Sequence, residues 1–417
     1  MTDQRLSAVL AALPDVRAWQ EPLYRDLHQH PELSFQEHRT ATVVADKLVE
    51  LGYQVTANIG GTGVVGILRN GAGPSVLMRA DIDALPVPES TGLPYASVAR
   101  GIDPAGDDVP VMHACGHDMH VSCLLGAAAL LAGATRHWSG TAIALFQPAE
   151  ELGRGAAAMV DDGLAATVGA VDVALAQHVG PGPSGFVGTC SGPLLAAADG
   201  IRVTVYGRGG HGAMPQATVD PVVLAAMIVI RLQTIVAREV APSDAVVLTV
   251  GSIQSGTKSN VIGDRAVLEL SLRTYDEAVR AMVIAAIKRI VIAECQASDS
   301  PREPEFEFCD QFPVTRNDDA VTARVRDVFA GHFGDRVQVV PPLSASEDFA
   351  AIPAALGVPY TYWIFGGVDV DDFTRAAEAG RIAQDIPVNH SPNFAPVLQP
   401  TLDTGTEALV VAALAWL

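Results

Sequence analysis

Cysteine is scarce: 417 residues hold five, Cys115, Cys123, Cys190, Cys295 and Cys309, an odd number without a repeating spacing. Thiols used so sparingly exclude a disulfide framework, suit a reducing compartment, and leave one free to act as a thiolate ligand. Positive charge is also in short supply. Lys and Arg together number 27 against 47 Asp and Glu, a formal net charge of −20, so the surface repels phosphate backbones and anionic headgroups. Neither nucleic acid nor a membrane is an expected partner. No apolar run approaches the roughly 20 residues that cross a bilayer. Met1-Thr2-Asp3-Gln4-Arg5 lacks the basic and apolar succession of an export signal. The expected location is cytoplasmic.

With 49% of residues apolar, the chain can bury a large core, and its length suits two domains. The first 190 or so residues alternate helical and strand patterns: a periodic Thr40 to Leu51, then strands at Val64 to Leu68, Ser75 to Met78 and Thr141 to Phe146. From Ile201 the pattern changes to strand, helix from Pro221, strands at Val246 to Val250 and Ala266 to Arg273, helix from Asp276, and strand Glu305 to Phe308. That β-α-β-β-α-β order is of the ferredoxin-like type. The expected fold is therefore α/β in two domains. Residues 1–196 and 312–417 form one discontinuous domain, and residues 197–311 are inserted into it.

Chemistry concentrates at His113-Ala114-Cys115-Gly116-His117-Asp118-Met119-His120, where a thiol, imidazoles and a carboxylate surround a glycine. Gly116 lets the backbone fold so that Cys115 and His117, two residues apart on an extended turn, converge on one point. A helix Met119 to Ala132 then anchors the turn through an apolar stripe of Val121, Leu124, Leu125, Ala128 and Leu131. Acidic residues cluster just past two strand ends, at Asp81-Ile82-Asp83 and Glu150-Glu151, the edge where sites form in open α/β sheets. Further candidate ligands, His178 and His390, stand in turns punctuated by Gly and Pro. Ligands gathered from several loops are how a rigid scaffold builds a metal site.

Seven motifs in order carry a resemblance over nearly the whole chain. They are Met78 to Pro86, Cys115-Gly116-His117-Asp118, Phe146 to Glu151, Gly207-Arg208-Gly209-Gly210-His211-Gly212-Ala213-Met214-Pro215, Asn260-Val261, Ser346-Glu347-Asp348-Phe349 and Asn389-His390-Ser391-Pro392. The sequence resembles the amidohydrolase branch of the two-metal peptidase family that contains aminoacylases and carboxypeptidase G. Hippurate hydrolases and auxin-conjugate hydrolases belong to that branch.

The resemblance implies a catalytic domain binding two divalent ions per subunit. Cys115 bridges them, His117 and His178 complete one, and Glu151 and His390 complete the other. Zinc or manganese is implied, with cobalt and nickel compatible with the same ligands. It implies that Glu150 is general base and acid for a metal-bound water, and that Asp83, with or without Asp81, orients a ligand imidazole. It does not use His113 or His120 as ligands. The inserted domain is implied to be a lid and dimerisation domain in a homodimer or dimer-based oligomer. His211 would stabilise an oxyanion from the partner subunit, and Asn260 and Arg273 would hold the substrate carboxylate or carbonyl.

The expected reaction is hydrolysis of an N-acyl amino acid to a carboxylic acid and a free amino acid. The alternative within the family is a metallo-dipeptidase or carboxypeptidase. A noncatalytic metal-holding protein gives Glu150 no use, and a cysteine hydrolase needs Cys115 free to attack.

Overall fold

A computed structural model describes residues 3–417 and divides the chain into two compact units. The first comprises residues 1–194, 316–341 and 348–417, and the second residues 195–315 and 342–347.

The first unit is built on an eight-stranded mixed sheet. Its centre is a parallel group, Gly140–Gln147, Ser75–Asp81, Val173–Pro183 and Tyr360–Val368. These strands are almost continuously apolar because both faces are covered. Asp81 and Gln147 end two of them, and His178, expected in a turn, instead sits within the strand Val173–Pro183 level with Asp81, so the polar residues are delivered to one edge.

The helix expected from Met119 to Ala132 runs His117–Gly133, and nearly every residue in it is buried. Two expectations change as a result. The helix has no single apolar stripe, since helices Leu13–Gln29 and Leu398–Ala413 pack against it as well as the sheet. His117, Asp118 and His120 ride on its first turn rather than preceding it, so Cys115 and His117 are not on an extended segment.

The second unit has an antiparallel sheet of Val246–Ser255, Arg265–Thr274, Ala197–Tyr206 and Glu305–Phe312, in that spatial order. Helices Pro221–Arg238 and Glu277–Ala297 bury Leu224, Ile228, Leu232, Ile287 and Val291 with the sheet's Val203, Leu268 and Leu270. By length and composition Pro221–Arg238 is apolar enough to cross a membrane, contrary to the expectation that no segment is. One of its faces is committed to the sheet.

His28 ties helix Leu13–Gln29 to the start of helix His117–Gly133. Its Nδ1 lies 2.7 Å from Asp118 Oδ2 and its Nε2 3.1 Å from Glu89 Oε1, all three side chains fully buried. Burial opposes the charge, but the two carboxylates overcome it and raise His28 from 6.5 to about 10. Removing the cation leaves two buried carboxylates without a counter-charge. His28→Leu should therefore destabilise the protein by about 3–5 kcal/mol in denaturant titration. Because the folded value is raised, His28's contribution is complete below about 6.5 and is lost as the pH climbs towards about 10. The variant's deficit should shrink over that window.

Candidate metal centre

The Cys115 turn depends on a glycine. Gly116 has φ of 82°, and a Cβ there would stand 2.4 Å from Val179 Cγ1. Only a residue without a side chain lets the chain reverse against the neighbouring strand and start the helix at His117.

Hydrogen bonding of the ring nitrogens decides what each histidine presents. His117 Nδ1 is 3.0 Å from the Asp83 carbonyl and 3.2 Å from Asp83 Oδ1, so it donates there and leaves Nε2 as the acceptor. His178 Nδ1 donates to the Val179 carbonyl at 2.7 Å and likewise leaves Nε2. That Nε2 is 3.5 Å from Cys115 Sγ. His117 Nε2 lies 3.8 Å from Glu151 Oε1, and Glu151 Oε2 lies 3.4 Å from His390 Nε2. His117 Nε2 and Glu151 Oε1 are buried with no hydrogen-bond partner. Ligand atoms of Cys115, His117 and Glu151 fall within 4.8 Å of one another.

His120 is a ligand by type but is fully engaged. Its Nε2 accepts the Val179 N–H at 2.8 Å, so its Nδ1 donates to Asp81 Oδ1 at 2.5 Å. Asp81 is held from the other side by the buried Arg79, whose guanidinium donates to Asp81 at 2.7 Å and to Gln147 at 2.9 Å. His113 is buried and neutral, its imidazole lowered to about 4 by burial.

The glutamates come from a strained turn. Ala149 has φ of 49°, in the left-handed region, and is followed by the short helical turn Glu150–Leu152. Glu150 is buried, and the Glu151 N–H donates to Asp83 Oδ2 at 3.0 Å. His390 is also left-handed, φ 69°, and its N–H donates to the Ala114 carbonyl at 2.8 Å. Asn389, which the sequence reading quoted without a role, donates to the carbonyls of Cys115 at 3.2 Å and Val179 at 3.1 Å. Its neighbourhood to His390 was the available signal.

Electrostatics favour cations here. Burial resists protonation of His117, but Asp81 and Asp83 raise it well above the usual imidazole range. Cys115 and Glu151 raise His390 to about 10. Burial lowers His178 well below 6.5, keeping it neutral. A thiol, three imidazoles and a carboxylate, with two buried ligand atoms lacking hydrogen bonds, make a donor set that fits divalent ions. The five candidate ligands all belong to the first unit.

The second unit carries the remaining candidates. Strand Gly210–His211 pairs with Val261–Ile262, setting His211 opposite Val261 and beside Asn260, whose carbonyl accepts the Gly212 N–H at 2.9 Å. His211 Nδ1 accepts the Ala213 N–H at 3.0 Å, so Nε2 carries the ring proton. Both residues are exposed. Arg273, on the Arg265–Thr274 strand, donates to the Ser346 hydroxyl.

The sequence profile described as peptidase family M20/M25/M40 matches residues 77–381. The chain is 40% identical over 330 residues to an N-acetyl-L-cysteine deacetylase of Bacillus subtilis, covering 78% of this chain and 75% of that one. It is 36% identical to thermostable carboxypeptidase 1 of Saccharolobus solfataricus over 385 residues, 91% of each chain. With the hippurate hydrolase of Campylobacter jejuni the identity is 37% over 339 residues, 80% of this chain and 85% of that one. A crystal structure of the Bacillus subtilis YXEP protein, described as a dinuclear metal binding peptidase, superposes with a TM-score of 0.77 at 27% identity, covering 96% of this chain and 98% of that one.

Because protons on His117 and His390 compete with a cation, zinc binding to metal-free protein should release protons. Apparent affinity in calorimetric titrations should rise from about pH 6 to about pH 8, with close to two ions per chain. Cys115→Ala should lower that stoichiometry.

Proposed function

The chain belongs to peptidase family M20/M25/M40, in its amidohydrolase branch, and from that premise we propose that it hydrolyses N-acyl amino acids to a carboxylic acid and a free amino acid. The observation that carries this reading is the adjacency of a buried Glu150 and the candidate ligand Glu151 on one turn at the edge of the parallel strands. Hydrolysis of an amide bond is the chemistry of the relatives named N-acetyl-L-cysteine deacetylase and hippurate hydrolase. Two divalent ions on Cys115, His117, His178, Glu151 and His390 would polarise the amide carbonyl and acidify a water. Zinc suits the thiolate and imidazoles best, and manganese, cobalt or nickel are tolerated by the same set.

Glu150 takes the proton from the attacking water on its carboxylate and returns it to the leaving nitrogen, which departs as an amine. His211 of a second copy of the chain, with its proton on Nε2, is suited to donate to the oxyanion that forms. Arg273, steered by Ser346, and Asn260 bind the carboxylate of the amino-acid half. The carboxypeptidase relative keeps peptides open as the alternative substrate, since Arg273 serves either.

The functional form in this reading is a homodimer. The helix Pro221–Arg238 leaves Val223, Met227 and Ile230 exposed at 58%, 44% and 63%, a stripe at helical spacing on the face turned from the sheet. The adjacent edge strand Val246–Ser255 exposes Val247 and Ile253. Five unpaired cysteines support a reducing, cytoplasmic setting.

Purified protein assayed on N-acetyl, N-benzoyl and longer N-acyl amino acids beside dipeptides should cleave the acyl amino acids, lose activity on chelation and regain it with zinc or manganese. Glu150→Gln should lower kcat by about 10²–10⁴-fold with metal content unchanged. Cleavage that survives chelation, or of dipeptides alone, contradicts the reading. Ile230→Glu should shift the protein to monomer in light scattering.

A further inference from the structure

The turn that presents Glu150 and Glu151 is held from below by a carboxylate the mechanism has not used. Glu37, at the start of helix His38–Glu50, is fully buried, and its Oε1 accepts the Ala149 N–H at 2.9 Å. Its Oε2 accepts the Thr62 hydroxyl at 2.5 Å. The same short segment reaches the centre again three residues earlier, where the Ser34 hydroxyl donates to Asp83 Oδ2 at 2.7 Å. Between the two contacts the backbone makes room by setting Phe35 at φ of 62°. An aromatic and an alanine both in the left-handed region, one on each side of a single hydrogen-bonded link, mark a conformation imposed by the surroundings rather than chosen locally.

Ala149 has a Cβ and prefers the right-handed regions, so its left-handed turn needs an external hold. Gly155, a few residues on, could carry no side chain at all, since a Cβ would fall 1.5 Å from the Pro148 carbonyl oxygen. The Ala149 carbonyl accepts the Gly155 N–H at 3.1 Å, which closes the loop around the two glutamates. Within the described hydrogen bonds, the Ala149 N–H goes to Glu37. Without that acceptor a buried N–H is left unpaired, and the turn gains by relaxing.

We propose that Glu37 is a positioning residue of the metal centre: by accepting the Ala149 N–H it locks the left-handed turn that aims Glu150 at the reacting water and Glu151 at the metals. It touches neither substrate nor metal. Burial, with Asp83 nearby, pushes its carboxyl up to about 7, so a neutral acceptor of the same shape should serve almost as well. The inference rests on the roles given above to Glu150 and Glu151.

The test is a set of variants on the metal-loaded full chain, read by kcat and KM on the best N-acyl amino acid and by zinc affinity in competition with a chromophoric chelator. Glu37→Met fills the same space with no oxygen acceptor, and should lower kcat and zinc affinity by about 10–100-fold with KM changed much less. Glu37→Gln keeps an acceptor for Ala149 and should stay within about 3-fold of the parent. Ala149→Gly removes the penalty on the left-handed turn, so it should recover most of the loss in the Glu37→Met background while doing little alone. A merely structural Glu37 would show the opposite, lowered thermal stability with kcat and zinc affinity kept and no recovery from Ala149→Gly.

Full activity and affinity in Glu37→Met, a loss in Glu37→Gln as deep as in Glu37→Met, or failure of Ala149→Gly to rescue each overturns the proposal. Should Glu37→Met not fold, Glu37→Gln is read against the parent alone, and a loss of more than about 10-fold in kcat or zinc affinity overturns the proposal. Should the parent cleave no acyl amino acid, the function proposed above falls, while the zinc affinities still test Glu37.

Discussion

The Asp83 carboxylate is the contact on which the centre depends. It lies two residues past the end of the Ser75–Asp81 strand, is buried, and joins three remote parts of the chain: the Ser34 hydroxyl, the His117 imidazole and the Glu151 N–H. An isolated buried carboxylate is costly, so its position between three donors fixes the spacing of the loops that supply them. One of those donors is the imidazole of the candidate ligand His117, another is the backbone of the candidate ligand Glu151, and the third belongs to the segment that also supports Ala149. Geometry at the sheet edge thus becomes geometry at the candidate metal centre.

A second chain of contacts does the same for His178. Arg79 holds Asp81, Asp81 accepts from His120, and His120 accepts the amide of Val179, next to the ligand itself. The order of donors and acceptors fixes one tautomer of His120 and leaves it no lone pair for a cation. The histidine nearest to His178, with ring centroids 4.4 Å apart, therefore supports the site without entering it.

Much of this was legible in the sequence, and the rest was hidden for physical reasons. Alternating apolar segments exposed the two layouts of helix and strand, and the spacing of Cys115 to His120 pointed to the candidate metal cluster, because those patterns are local. The start of the helix at His117 was not legible, since Gly116 as its left-handed cap and the burial of all its sides arise from packing against Val179, the sheet and two other helices. The supporting residues His120, Ser34 and Glu37 act across separations no pattern in one sequence reveals, whereas Arg79 stands two positions from Asp81 and Asn389 next to His390. Glu37 is 112 positions from Ala149. Phe35 and Ala149 adopt conformations that their side chains disfavour, so propensity points away from the turns that matter most.

The proposed function rests most heavily on the proposal that two ions share the Cys115 sulfur. X-ray absorption at the zinc edge on the fully loaded protein tests it directly. The account predicts a sulfur neighbour at about 2.3 Å from zinc, together with imidazole nitrogens at about 2.0 Å. It also predicts a zinc–zinc vector of about 3.5–4 Å. A spectrum with nitrogen and oxygen neighbours only, or with no metal neighbour at full loading, would contradict it.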